Sequence, residues 1–517
     1  MIREEIEKII KDEVGEKVAL ETPPDVKFGD YAWPCFDLKD KEEVASKLVK
    51  NELFSDVKVV GGYINFFVKP EKLFGSILEG VDEKYGEGDS GKGKELVLEY
   101  SSPNTNKPQH IGHLRNNFLG DSLARILKSQ GFKVNKVQII NDRGIHIMKS
   151  LLMYMKKGEG KTPLDLKMKG DHFVGHFYNM YEDSYEEEAR ELLRKWEGGD
   201  KEVRKVWKVL NDWVYEGWEE TYKDQGISFD KLYYESEIYD KGKEIVLESP
   251  VFSKNEDGSI EVDLTDDGLD KKIVLRADGT SIYITQDLYL AELRAKDYPK
   301  ASKFLYVVDH AQQYHFKALF ATLGKLGFKK NLAQVWYGQV KLGEGEKMSS
   351  RLGNAVDADE LVGDVLKLAK KREIGLGALR YYILHIDPKK DIVYDSGKAL
   401  GFLGNTGPYI MYAYARGKSI LRKSDNGKVD YSSLGEVLER ELVLLIEKFP
   451  LVVKRASLEY DPALVANYLY ELAQVFSSFY HKLVAKDNPD RVKLVEGVCQ
   501  TLKNGCSMLG INVLEEM

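Results

Sequence analysis

The chain has 517 residues, 43% hydrophobic and 31% charged, with 76 Lys and Arg against 84 Asp and Glu for a formal charge of −8. That length exceeds what one hydrophobic core serves, so two to four domains are expected. The acidic balance weighs against a uniformly basic nucleic-acid binder but leaves local basic patches open. No apolar run reaches the roughly 18 residues of a membrane span. Three scattered cysteines (Cys35, Cys499, Cys506) make neither a disulfide framework nor a CxxC zinc site, which predicts a reducing, cytoplasmic setting.

The opening MIREEIEKIIKDEV reads as an amphipathic helix, too charged for a secretory signal. Pro23, Pro24 and Lys27-Phe28-Gly29-Asp30-Tyr31 mark a turn, with Gly29 and Asp30 expected to be structural. Residues 57–68, β-branched and aromatic around Gly61-Gly62, predict a hairpin. An N-terminal α+β domain is therefore expected over 1–90, closed by the glycine-rich linker 86–94. From Glu95 short apolar strands alternate with helices. Strands at 96–100, 134–140, 304–308 and 335–340 and a helix at 114–130 predict a parallel sheet with crossover helices, an α/β domain over 91–395. A charged helical stretch at about 149–230 reads as an insertion. Beyond about Asp395, helices at 407–423, 434–447, 462–485 and 490–509 predict an all-α domain over 396–517.

Pro108-Gln109-His110-Ile111-Gly112-His113 stands after a strand and at the start of a helix. Free N–H groups and the positive dipole end there favour phosphate. Gly112 leaves room for a flat adenine, and His110 and His113 donate to phosphates as charge develops. Far downstream, Lys347-Met348-Ser349-Ser350-Arg351 follows a Gly- and Glu-rich loop, a setting in which a lysine closes over a leaving pyrophosphate.

HIGH followed by a KMSKS-like segment resembles the class I aminoacyl-tRNA synthetase signature, and the surroundings resemble arginyl-tRNA synthetases. Glu99-Tyr100-Ser101-Ser102-Pro103-Asn104-Thr105-Asn106-Lys107-Pro108 is similar to that family's segment before HIGH. So are Arg276-Ala277-Asp278-Gly279-Thr280 with Tyr283 and Asp287, the Asp309, Gln312, His315 segment, and 407–416. The resemblance spans nearly the whole chain. It implies a multidomain protein: an α+β tRNA-recognition domain, a Rossmann-like catalytic domain with the insertion, and a helical anticodon-binding domain.

The activity it implies is arginine–tRNA ligation: arginine and ATP give arginyl-adenylate and pyrophosphate, and arginine then passes to the terminal ribose of tRNA(Arg). Mg²⁺ arrives with ATP; no protein carboxylate cluster holds a metal unaided. tRNA is expected to be needed for the first step, and the family's habit implies a monomer. A guanidinium needs planar carboxylate partners, which singles out Glu99 and Asp287, with Tyr283 one helical turn away. Ser101, Asn104 and Gln312 are implied to hold arginine's α-amino and carboxylate groups. Gly112, Asp309, Val340, Met348, Ser349 and Ser350 are implied ATP contacts. The catalytic set is His110, His113, Lys107 and Lys347; Lys107 stands where the family supplies the lysine that Ser350 replaces in KMSKS. Tyr63 and Asn65 are implied contacts to the tRNA elbow. Tyr409, Tyr412 and Arg416 fall at helical spacing for stacking anticodon bases, with a stripe packed against neighbouring helices as the alternative. A cysteinyl enzyme would want a zinc set, and glutamyl or glutaminyl enzymes a cationic pocket. A non-tRNA nucleotidylyltransferase has no use for the helical domain. A catalytically dead RNA-binding relative has no reason to keep HIGH, Lys107 and Lys347.

Overall fold

The computed structural model describes residues 2–342, 346–347, 356–424 and 427–517, with Leu342, Glu346, Lys347 and Ser396 described by backbone alone. The first unit packs helices Ile2–Val14, Lys41–Leu48 and Pro70–Leu78 on an antiparallel sheet of β1 (Tyr31–Pro34), β2 (Phe54–Val60) and β3 (Tyr63–Val68), in the order β1-β3-β2. β2 and β3 form the expected hairpin, turning at Gly61, whose φ of 61° suits glycine. Asp30 is fully buried. Its Oδ2 accepts from Val68 N at 2.7 Å and from Arg440 Nη1 at 2.6 Å. Arg440 belongs to helix Val437–Glu459, so this turn fastens the first unit to the last. Tyr31, donating to Glu447 at 2.8 Å, does the same.

The central sheet is all parallel, with order β11-β10-β4-β5-β6: β4 (Glu95–Glu99), β5 (Lys133–Ile140), β6 (Lys231–Tyr234), β10 (Ala301–Asp309) and β11 (Asn331–Tyr337). Alternate residues serve opposite faces. Leu96, Leu98, Leu305 and Val307 pack into one core, and Val97, Phe304, Tyr306 and Val308 into another, so both faces are covered. The strand order reverses between β4 and β10. In a doubly wound sheet that crevice, outside the strands' carboxyl ends, is where ligands bind. Glu99 ends β4 and Asp309 ends β10.

Between β5 and β6 run helices Ile145–Lys157, Gly170–Asn179, Glu186–Glu197 and Lys201–Gln225, with their own core around Phe173, Trp196, Leu210 and Trp218. An antiparallel trio follows: β7 (Phe252–Lys254), β8 (Ile260–Val262) and β9 (Lys272–Leu275), short strands too polar to stand out in the sequence. The single strand expected over 335–340 is two. β11 ends at Tyr337, and Val340 begins β12 (Val340–Leu342), in a separate sheet with β13 (Glu346–Lys347) and β14 (Ile392–Tyr394). Gly338 makes the break: a Cβ there would come within 2.7 Å of Lys390 O. The buried Arg115 guanidinium donates to the carbonyls of Gly338 (2.6 Å), Pro388 (2.9 Å) and Lys390 (2.8 Å), holding the break closed.

The C-terminal unit consists of helices Gly407–Arg422, Val437–Glu459, Ala463–Lys482 and Pro489–Met508. The second outruns its expected end at 447 and passes through Pro450, because buried Val453 and Ala456 keep packing beyond it. No helix is long and apolar enough to cross a membrane, among the described residues.

Candidate active site

His110 is the N-cap of helix Ile111–Ser129. Its Nδ1 accepts from Gly112 N at 3.1 Å, and His113 Nδ1 accepts from His110 N at 3.1 Å, a reciprocal capping box. The rings lie 3.9 Å apart between centroids. Enclosure, reinforced by Lys107, lowers His110 to about 4, and enclosure with His110 and Lys107 holds His113 well below its usual value. Both rings are therefore neutral near pH 7. With each Nδ1 accepting, each keeps its proton on Nε2 as a donor. Gly112 is dictated by the cap itself, since a Cβ would sit 2.9 Å from His110 Cε1. Burial brings Lys107 down to about 8.

These histidines line a cavity of about 270 Å³ with Glu99, Ser102, Asn116, Asp309, Gln312 and Tyr337. Asn116 organises its floor: Oδ1 accepts from Ser101 N at 2.6 Å, and Nδ2 donates to Val307 O at 2.9 Å and Tyr337 OH at 3.1 Å. Glu99 is 8% exposed and ion-paired with Arg294, which is itself 1% exposed. Burial raises the Glu99 pKa, and Arg294 opposes that rise. Arg294 lies under the rings of Tyr233 and Tyr306, 5.1 and 5.8 Å from their centroids. Ser101 also lines the cavity, and its hydroxyl lies 2.7 Å from Tyr222 OH. Ser102 instead faces Glu99, donating to Oε1 at 3.3 Å. Asn104 is exposed and bridges by its backbone to Asn141, outside the cavity lining. Asp309 Oδ1 accepts from Ala311 N at 2.8 Å, and exposed Gln312 follows in the same turn.

Tyr283 opens helix Tyr283–Asp297 and is 68% exposed; Asp287, one turn on, meets His315 Nε2 at 2.7 Å. Tyr283 lines a second cavity of about 830 Å³ with Arg143, Glu235, Arg276 and Gln286. Glu235 is a site residue the sequence reading missed. It is 4% exposed, and its pKa is pushed up to about 7, mainly by burial, with Arg143 opposing and the charges of Asp142 and Asp287 adding. The charge of Asp287 also raises Glu99, so it acts on the buried carboxylates of both cavities. The signal for Glu235 was its place one residue past a short strand in Tyr233-Tyr234-Glu235-Ser236.

Val340 is buried at the start of β12. Lys347 pairs by backbone with Lys341, while Met348, Ser349, Ser350 and Arg351 lie outside the described residues. Among the tRNA candidates, Asn65 shares the face of Tyr63 and Phe67 but is only 5% exposed, with the Gly29 turn against it, whereas Tyr63 keeps a half-exposed ring against Phe36 at 5.2 Å. Tyr409 packs on Tyr470 at 5.5 Å. Arg416 lies between Tyr412 (4.7 Å) and Tyr480 (4.4 Å), two exposed rings, of which Tyr480 went unnoticed in the sequence.

A neutral histidine pair capping a helix at the reversal point of a parallel sheet, joined to a helical C-terminal unit, defines a class I aminoacyl-tRNA synthetase. The family model "tRNA synthetases class I (R), catalytic domain" matches residues 76–375, "Arginyl tRNA synthetase N terminal domain" matches 1–68, and "DALR anticodon binding domain" matches 410–517. The chain belongs to the arginyl-tRNA synthetases, enzymes that join arginine to tRNA(Arg). It is 42% identical to the arginine–tRNA ligase of Treponema denticola over 97% of this chain and 95% of that one. The arginine–tRNA ligase of Parabacteroides distasonis is 42% identical over 92% and 90%. The Thermus thermophilus arginyl-tRNA synthetase structure superposes over 100% of both chains with a TM-score of 0.77 at 26% identity.

Proposed function

We propose that arginine lies across both cavities, with its α-carboxylate at the histidine end and its guanidinium between Asp287 and Glu235, Tyr283 covering it. The supporting observation is that each cavity holds a buried carboxylate, Glu99 in the histidine cavity and Glu235 in the next, and that the charge of Asp287 acts on both. The reacting carboxylate must sit by the phosphate-binding helix end, so Glu99, already paired with Arg294, meets the neighbouring α-ammonium. The guanidinium then takes Asp287, held by His315, and Glu235, whose Arg143 partner stands off at 4.0 Å.

In this reading the carboxylate attacks the α-phosphate of ATP in line. The His110 and His113 Nε2–H groups and the charged Lys107 stabilise negative charge as pyrophosphate leaves, with Lys347 as the second lysine in that role. The terminal tRNA ribose then attacks the activated carbonyl, releasing AMP. Adenine lies by Gly112 and Val340, with Asp309 and Gln312 in the surrounding wall; Met348, Ser349 and Ser350, the remaining proposed ATP contacts, lie outside the described residues. Mg²⁺ comes with the triphosphate: Asp309 already caps its own turn and Glu99 is paired, so these residues form no separate cage and no step is assigned to the ion. Tyr63, Tyr409, Tyr412, Tyr480 and Arg416 are the RNA contacts, and one chain carries the whole site. The test is aminoacylation of total tRNA with arginine, lysine or glutamine, alongside ATP–pyrophosphate exchange with and without tRNA. Charging by arginine alone supports the reading; charging by another amino acid overturns the pocket.

A further inference from the structure

The helix Gly170–Asn179 of the insertion touches both the residues before HIGH and the segment 356–359. At Gly175 it lies against the residues before HIGH: a Cβ there would meet Pro108 Cδ at 2.8 Å and Lys107 Cα at 3.4 Å. Near its N-terminus, His172 reaches the chain downstream of the Lys347 motif, with Nε2 2.9 Å from Asp357 Oδ2 and Nδ1 3.2 Å from Asp171 Oδ1. Asp359 is gripped by Lys169 and by Thr221 Oγ1 at 3.0 Å. The gripped segment is paired directly to the histidine motif: Ile111 N donates to Val356 O at 3.1 Å, and Ala358 N to Gln109 O at 2.9 Å. Asp357 also caps the following helix, accepting from Asp359 N at 2.8 Å and Glu360 N at 3.1 Å.

We propose that this helix fixes the segment 356–359 against the histidine motif, with His172 as the positioning residue that holds Asp357 beside His110. Burial works against a charge on His172, but hydrogen bonds to Asp171 and Asp357 carry it up to about 10, so it is a cation at neutral pH. Asp171, His172 and Asp359 offer three ligand atoms within 4.8 Å of one another. They are not a cation cage, because Lys169 lies between the two carboxylates and His172 spends both ring nitrogens on acids. The consequence is functional: Lys107 and His110 keep a fixed spacing from the segment 356–359 only while the insertion is seated. A displacement near 1 Å of such groups costs on the order of a hundredfold in rate.

The inference rests on the reading of Lys107 and His110 as catalytic, and its test separates the two. Full-length His172→Gln, Asp357→Asn and the double variant are assayed by tRNA-dependent pyrophosphate exchange, with His172→Arg as the charge-restoring control. Expected are falls in kcat on the order of a hundredfold with the KM for arginine unchanged. The double variant should be no worse than either single, because both remove one shared contact, and His172→Arg should recover activity. Wild-type kcat in His172→Gln, additive losses, or kcat and KM falling with the melting temperature would overturn the proposal. If His172→Gln does not fold, Gly175→Ala reads the same register at Pro108, and unchanged kcat there overturns it equally. A wild-type chain that fails to charge arginine refutes the functional reading instead.

Discussion

Replacing Glu235 by Gln tests the arginine pocket through protons. In the empty site Glu235 has been raised to about 7, whereas a guanidinium beside it requires the ionised form. Below about pH 7 the site must release a proton before arginine binds, so affinity falls as pH falls; above it no such cost remains. The factor is one plus ten to the power of pKa minus pH, so the Kd for arginine should rise about tenfold between pH 8 and pH 6. Calorimetry in two buffers of different ionisation enthalpy reads the same event, with close to one proton released per arginine at pH 6 and almost none at pH 8. Glu235→Gln should bind arginine weakly at both, losing roughly 1.5–3 kcal/mol at pH 8, and its Kd should no longer depend on pH. A wild-type Kd that is flat from pH 6 to 8, or a variant that binds as wild type does, would refute the placement of the guanidinium.

The Lys107 value of about 8 predicts that kcat for exchange declines as pH rises through 8 and the ammonium loses its proton; Lys107→Arg should carry activity to higher pH, and a decline unchanged in that variant would count against it. Arg440→Ala strands the fully buried Asp30 carboxylate and should cost about 3–5 kcal/mol in urea denaturation, with Asp30→Asn in the same chain recovering part. Tyr412→Ala should raise the KM for tRNA by the equivalent of about 1–3 kcal/mol of lost stacking while leaving arginine binding unchanged; an unchanged tRNA KM would favour a packing role for the Tyr412–Arg416–Tyr480 stack.

Much of this fold is legible in sequence because its elements are periodic. The apolar runs at β4, β5 and β10 and the cap at His110 need only local information. What escaped depends on residues far apart. The Glu99–Arg294 pair joins positions 195 apart, and nothing near either announces the other. That pairing is the reason the proposed pose gives Glu99 to the α-ammonium and not to the guanidinium. Ser101 and Ser102 are equivalent as letters; only the backbone turn, with φ of 80° and 49°, decides that Ser102 faces Glu99. Glu235 carries no motif and becomes visible as a site residue through its burial beside Asp287. The β11–β12 break at Gly338 depends on Arg115, more than two hundred residues upstream.

The fastening of Asp30 to Arg440 has a consequence for how the chain is made. Partner residues lie 410 apart, and those of the Tyr31–Glu447 bond 416 apart. On a ribosome adding about 5–20 residues per second, the first unit waits roughly 20–80 s for its last side chains. Over that interval Asp30 has only the Val68 amide, and the surface meant for helix Val437–Glu459 is uncovered. The domain synthesised first is thus completed only when the C-terminal unit emerges, and messages truncated before Arg440 should yield N-terminal fragments that chaperones retain and proteases clear.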